Sequence, residues 1–354
     1  MKSNFKLLCI TNSLTGGGAE RSANVIADEL FQRGMDVHLA PINQGPHDLV
    51  YPRCKIHEMN RRWDSNFLTV FVTYFRLQVL TWRIKPTHLV LHCDLPELFG
   101  AFLIGNFKII VVEHSSQPWA QRRLLGLMTR KILRSRSTIW IAVSDHLKIW
   151  GVKKRADFVI SNPIPTEILL RSTGPGDSSA ISIQRLVFIG RLSLEKNPEV
   201  IVRLAHQTKL SVLFVGDGYL REKLKNLSDE LGVVSSFVGQ QINPWDHCTS
   251  TDIIVVPSKF EGDGLVVVEA IAQGFPVLLS EIPDLLRFQL PSQNYASDVG
   301  NFASRIESYR NNRSGLVAHD SIRASLVRSR HPVNCADAWH EVLNSLVIKA
   351  TRGI

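Results

Sequence analysis

Short, mainly apolar runs alternate along this chain with stretches whose apolar residues recur every three or four positions. Residues 5–10, 37–41, 88–91, 108–112, 139–143 and 158–160 are runs of the first kind. A run that is apolar throughout, rather than at every second position, predicts a strand buried on both faces, as in a parallel sheet. Ala23, Ile26, Ala27 and Leu30 are a pattern of the second kind and predict a helix, for which Gly34 supplies the C-terminal stop. Residues 172–179 are small, polar and turn-rich, a linker by composition. Beyond them the pattern restarts, with strands predicted at 185–189, 211–215, 237–238, 252–256 and 276–279 and a last helix at 335–348. This βα order on both sides of the linker predicts an α/β protein of two doubly wound domains, 1–165 and 185–331, joined through 166–184. Ligands are then expected outside the carboxyl ends of the strands.

Composition narrows the function classes. Five cysteines, Cys9, Cys54, Cys93, Cys248 and Cys335, show no CxxC spacing, which argues for a reducing compartment and against a disulfide frame or a zinc site. No apolar stretch is long enough for a membrane span, and the N-terminal run reads as a strand rather than a signal peptide. The net charge of +9 is uneven: residues 1–165 carry 22 Lys and Arg against 12 Asp and Glu, and the remainder carries 19 against 20. The first half is therefore expected to meet something anionic. Two basic stretches, 60–85 and 119–136, mix cations with apolar residues. In the second, Leu124, Leu127, Met128 and Ile132 would form one face, with Arg122, Arg123, Arg130, Lys131, Arg134 and Arg136 over the rest. Such stretches suit an anionic membrane surface or a helix packed on the core with a basic outer face. No recognition motif supports nucleic acid.

The candidate chemistry sits at predicted strand ends. Glu261 lies in a glycine-bracketed loop and Glu269 on the apolar helix that follows. At about 1.5 Å per helical residue their backbones are roughly 10–12 Å apart, too far for a paired acid and base on one bond. That spacing suits one extended ligand held at two points, with helix N–H groups facing an anionic part between them. Arg191 and Lys196 follow Gly190 on a strand-exit loop and could bind a diphosphate or be solvated surface charges. Gly16, Gly17 and Gly18 open a helix, as a phosphate-binding turn or a plain one; Glu20 and Arg21 stand where a third glycine of a dinucleotide motif would be expected. Val215–Gly218 reads first as a structural turn. His114, after Glu113 at a strand end, could touch a sugar hydroxyl or be a satisfied polar residue, and His92 is a weaker candidate of the same kind.

Taken together these residues resemble the family-4 retaining glycosyltransferases of the GT-B fold. The resemblance runs in order through Gly17–Arg21, Glu113-His114, Val143-Ser144, Ser161-Asn162-Pro163, Gly190-Arg191-Leu192, Glu195-Lys196-Asn197, Val215–Gly218, Asn243-Pro244 and Pro257-Ser258 into Glu261–Glu269. It implies two Rossmann-like domains facing across a cleft, with a C-terminal helix, about 332–354, crossing back to the first. By position, Arg191 and Lys196 would bind the donor diphosphate. Glu261, with Gly262 and the backbone N–H groups of Asp263, Gly264 and Leu265, would position the donor sugar, and Glu269 would hold the ribose. The Gly16–Gly18 loop would cover the diphosphate, and His114 would reach the sugar near the reacting carbon. Members of the family often have an aromatic residue where Asp263 stands, so its carboxylate would either bond a particular sugar hydroxyl or face solvent.

The resemblance implies a metal-independent hexosyltransferase that needs no cofactor, with a UDP- or GDP-linked sugar as donor substrate and retention of configuration. Its expected acceptor is a glycan, lipid-linked, in lipopolysaccharide, O-antigen, capsule or exopolysaccharide synthesis. With the basic first domain, this places it in the cytoplasm, on the inner face of the cell membrane. A soluble enzyme acting on a small molecule or protein, and an inactive nucleotide-sugar binding protein, are the alternatives.

Overall fold

A computed structural model describes residues 5–14, 17–43, 53–62, 67–120, 122–147, 149–152, 155–170, 182–311 and 313–351. Gly16 and most of the predicted linker, 171–181, lie outside the described residues. The chain divides into two compact units, Met1–Pro165 with Ser329–Ile354, and Thr166–Arg328.

The first unit holds β1 (Lys6–Thr11), α1 (Gly18–Gln32), β2 (Asp36–Pro41), β3 (Lys55–Ile56), α2 (Phe67–Ile84), β4 (His88–His92), α3 (Asp94–Phe102), β5 (Lys108–Glu113), α4 (Arg123–Ser135), β6 (Ile139–Ala142) and β7 (Phe158–Val159). Its strands form one parallel sheet in the order β3-β2-β1-β4-β5-β6-β7. The chain reverses direction across the sheet between β1 and β4. Right-handed crossovers then put α2, α3 and α4 on one face and α1 on the other. Every residue of β4 is buried, as a strand covered on both faces should be.

The second unit contains α5 (Thr166–Leu170), β8 (Arg185–Ile189), α6 (Glu199–Thr208), β9 (Ser211–Val215), α7 (Arg221–Glu230), β10 (Ser235–Gly239), β11 (Asp252–Val256), α8 (Leu265–Gln273), β12 (Val277–Ser280), α9 (Pro283–Leu286), β13 (Tyr295–Ala296), α10 (Val299–Tyr309) and α11 (Asp320–Ser329). Its parallel sheet runs β10-β9-β8-β11-β12-β13, reversing between β8 and β11. The last helix, α12 (Pro332–Thr351), starts at a proline, where a missing N–H costs nothing. It packs on α1 through buried Ala336, Trp339 and Leu343, with Arg33 paired to Asp337.

The predicted strands are all present within a residue or two of their expected ends. Two were missed, β3 and β13, each two residues long and too short to carry a periodicity. A larger correction concerns α4. Leu124, Leu127 and Met128, expected to form an inward face if the helix packs on the core, are exposed, while Arg130 is buried with Gly126, Thr129 and Leu133.

His88 shows how tightly the first sheet is desolvated. Its Nε2 is buried without a hydrogen-bond partner, and its ring stands edge-on to Phe5. Burial, then the nearby Lys108, pushes its pKa down to about 4. A histidine kept neutral in the fold binds fewer protons than in the unfolded chain. Its contribution is therefore complete above the unfolded value near 6.5 and is lost as pH falls toward 4. In His88→Phe the fall in unfolding free energy between those pH values should be smaller by an amount on the order of 3 kcal/mol. Urea titrations at three pH values read this directly; parallel wild-type and variant profiles would refute it.

Candidate active site

In the second unit the chain reverses between β8 and β11, so their exit loops leave the sheet side by side. This is the switch point where doubly wound sheets bind ligands. After β8 come Gly190, the exposed Arg191 and a turn in which the Lys196 N–H bonds the Ser193 carbonyl. After β11 come Pro257, Ser258 and the Lys259 N–H, which donates to the Glu195 carbonyl at 2.8 Å and ties the two loops together. Lys196 Nζ thereby reaches Glu261 Oε1 at 2.6 Å, and the same oxygen accepts from Ser258 Oγ at 2.7 Å. The Glu261 backbone N–H is held by Asp284 Oδ2 at 2.8 Å. Glu261 is buried while Lys196 is half-buried, so a short, charge-assisted pair sits just under the surface.

The loop from Glu261 enters α8 through Gly262, Asp263 and Gly264. Gly264 has φ +57°, and a Cβ there would come within 3.1 Å of the Phe288 ring. A left-handed turn against an aromatic ring favours glycine. The first N–H groups of α8, beginning at Leu265, have no acceptor within the helix and open beside this loop. Asp263 neither faces solvent nor stands ready for a sugar hydroxyl. It is buried and ion-paired with Arg287 at 3.1 Å, the guanidinium lying over Phe288. Glu269, one turn into α8, is fully buried and accepts from Trp245 Nε1 at 2.9 Å.

Val215–Gly218 serves the architecture. A Cβ on Gly216 would lie 2.0 Å from the Gly190 carbonyl oxygen, and one on Gly218 would lie 2.4 Å from that of Leu192. Bonds from Gly190 N–H to the Val215 carbonyl and from Leu192 N–H to the Asp217 carbonyl zip the β8 and β9 exits together. Asp217 pairs with Arg221, the first residue of α7.

In the first unit, Gly17 N–H donates to Glu20 Oε2 at 3.0 Å. The helix start expected to meet a phosphate therefore already carries its own carboxylate, through a residue that displaces the third glycine of a dinucleotide turn. His92 and His114 end or follow adjacent strands, and His92 Nδ1 lies 3.0 Å from His114 Nε2, within hydrogen-bond distance. Burial, then His114, holds His92 well below the ordinary histidine range, so it stays neutral. The pair lines a small cleft with Ser22, Asn162 and Trp339; its volume of about 10 Å³ has room for about one water.

Glu113 turns away from this cleft to Arg130, whose Nη1 it meets at 2.6 Å. Arg130 also forks onto Glu97 and lies over Trp140 and Trp150. Burial pushes Glu113 up to about 7, with Glu97 and Asp94 adding to the shift against the pull of Arg130; burial and then Glu97 push Asp94 up to about 6. Among the described residues, no three His, Cys, Asp or Glu side chains gather as metal ligands.

The structure thus brings Lys196 and Glu261 into contact, sets Arg191 on the same exit loop as Lys196, and puts Glu269 on the helix that follows Glu261. It adds Ser258, Asp284, Arg287 and Trp245, none of which carried a sequence signal as site residues.

Residues 184–288 match the family model described as glycosyl transferases group 1. The chain is 30% identical over 280 residues to the lipopolysaccharide core biosynthesis glycosyltransferase LpsD of Rhizobium meliloti, spanning 75% of this chain and 76% of that protein. It is 21% identical over 300 residues, 78% of this chain and 80% of the other, to a Campylobacter jejuni N-acetylgalactosaminyltransferase named for a diphospho-undecaprenol acceptor. The solved structure of Anabaena Alr3699/HepE in complex with UDP and glucose superposes with a TM-score of 0.78 at 15% identity, covering 97% of this chain and all of that one. The fold is that of the GT-B glycosyltransferases, as the sequence resemblance implied.

Proposed function

The chain belongs to the glycosyl transferases group 1 family, and on that premise we propose that it moves a hexose-type sugar from a UDP- or GDP-sugar to a lipid-linked glycan, with retention and without a divalent metal. One observation carries this reading: Lys196, Glu261 and Ser258 converge at the switch point of the second sheet. In this reading Arg191 and Lys196 neutralise the diphosphate as the C1–O bond breaks and its electron pair goes to the phosphate. Glu261 and the first N–H groups of α8 hold the sugar, and Glu269 holds the ribose. The acceptor hydroxyl attacks the same face of the sugar, and the departing phosphate oxygen takes its proton. Within the first unit, His92 orients the ring of His114. The lipopolysaccharide and undecaprenol relatives support a lipid-linked acceptor, hence a place in the cytoplasm against the inner membrane face.

Calorimetry with UDP-glucose, GDP-mannose and NAD tests the donor. One nucleotide-sugar class should bind, and Glu269→Gln should weaken it by about tenfold, the loss of one charge-assisted hydrogen bond. Gln is chosen because it keeps an acceptor for the Trp245 indole, so weakened binding is not confused with unfolding. Equal binding by the variant would remove Glu269 from the site, and NAD binding without nucleotide-sugar binding would sink the reading.

A further inference from the structure

We propose that the outer layer of the first unit, α2 and α4 with the end of α3, docks on an anionic lipid bilayer. This deepens the reading of a lipid-linked acceptor and rests on it only for biological sense; the surface can be measured without any catalysis.

Helix α2 has two opposite stripes. Leu77, Gln78, Thr81 and Ile84 are buried against the unit. Leu68, Phe71, Val72, Phe75, Val79 and Trp82 recur at helical spacing on the other side and are exposed, Phe75 by 62% and Trp82 by 58%. An apolar stripe of this length left in water marks an interaction surface. Helix α4 repeats the arrangement: Leu124 is 74% exposed, with Leu127 and Met128 beside it, while its arginine at 130 is turned inward. The end of α3 joins the two. Tyr74 of α2 bonds the Phe102 carbonyl and Gln78 bonds both backbone groups of Ile104, while Arg136, at the end of α4, bonds the carbonyls of Gly100 and Ala101. Phe102 and Ile104 are themselves exposed. All three helices cover the same sheet face, so their outward side chains share one side of the unit.

Charge selects the partner. Neither α2 nor α4 contains an Asp or Glu. Among the described residues, Arg76, Arg83 and Lys85 on or beside α2, and Arg122, Arg123, Lys131 and Arg134 on or beside α4, are exposed cations. An anionic bilayer accepts both features: apolar side chains enter the boundary of the acyl chains while cations stay among the headgroups. A second copy of the chain would bring cations against cations. Among the described residues no helix is long and apolar enough to cross a membrane, so the layer lies on the bilayer.

Flotation of the whole protein with phosphatidylcholine vesicles, with or without about 30% phosphatidylglycerol and at about 50 and about 500 mM salt, tests this. Wild type should float with the anionic vesicles and less so at high salt. Phe75→Ser/Trp82→Ser should lower the bound fraction at both salts by about tenfold or more. Lys131→Gln/Arg134→Gln should lower it chiefly at low salt. These side chains are exposed, so unchanged thermal melts will show that folding is intact. Failure of wild type to float, or unchanged flotation of the aromatic variant, would overturn the proposal. So would a wild-type dimer that the aromatic variant dissolves while vesicles stay unbound, which assigns the face to a second copy. UDP binding measured on the same samples keeps failure of the docking surface distinct from failure of the donor reading.

Discussion

Lys196→Ala should leave the second unit folded and lower the rate of sugar transfer by about a hundredfold to a thousandfold. The half-buried ammonium is held by one charged partner, Glu261, which keeps its bond from Ser258 when the lysine is gone. Stability should therefore change by only about 1 kcal/mol. Under the proposed function catalysis should suffer far more, because Lys196 would meet a charge that grows as the diphosphate departs. A group that acts mainly on developing charge lowers kcat more than it raises KM. The loss also leaves the Glu261 carboxylate uncompensated beside an anionic leaving group. Lys196→Arg keeps the charge but not the compact ammonium and should retain an intermediate rate. Initial rates of nucleotide release over a range of donor concentrations separate the two constants. A kcat within about threefold of wild type would show that Lys196 is a structural partner of Glu261 and no more.

The second large effect is on stability. In Arg130→Met the first unit should lose about 3–5 kcal/mol, the usual cost of breaking a buried ion pair on one side. Arg130 is the cation for Glu97 and Glu113, all three buried, with Asp94 close by. Its removal strands the buried carboxylates of Glu97 and Glu113, the second of which already resists ionisation. Groups whose folded pKa is raised contribute fully below their unfolded value, near 4, and lose that contribution as pH rises through about 6 for Asp94 and about 7 for Glu113. The deficit of the variant should therefore be larger at neutral pH than at pH 5. Adding Glu97→Gln and Glu113→Gln should restore much of it, since a neutral amide tolerates burial better than an unpaired carboxylate. Trp119, Trp140 and Trp150 surround the cluster, so their fluorescence reports this transition in urea. A variant as stable as wild type, or a triple variant no better than Arg130→Met, would contradict the account.

Much of this protein could be read before its structure was known, for a physical reason. Strands buried on both faces, such as β4 and β11, have to be apolar through their middle, and loops at their ends have to carry the glycines and charges that ligands need. The Lys196 and Glu261 loops stood out on those grounds. What could not be read depended on partners far along the chain. Asp263 looked like a sugar ligand or a solvated acid because its partner, Arg287, is 24 positions away. Glu269 gave no hint of Trp245, also 24 positions distant. For α4, helical spacing grouped the leucines correctly but could not tell which side faced the sheet. Hydrophobicity alone turns them inward. Arg130 takes that place because Glu97 and Glu113 are there to receive it, and no local window contains all three.

The contact between Gly216 and the Gly190 carbonyl has a practical consequence for anyone wishing to change the sugar this enzyme uses. No side chain fits at that junction, and the two exits are laced together from Gly190 to Leu220 by backbone bonds. The Arg191–Asn197 segment is therefore not a module that can be transplanted alone. A chimera that imports it from a relative should also import residues 215–220, with both crossover points inside the strands, where register is already fixed. Recombination libraries cut between the two exits should yield mostly misfolded second units, and libraries that carry both together should yield folded ones.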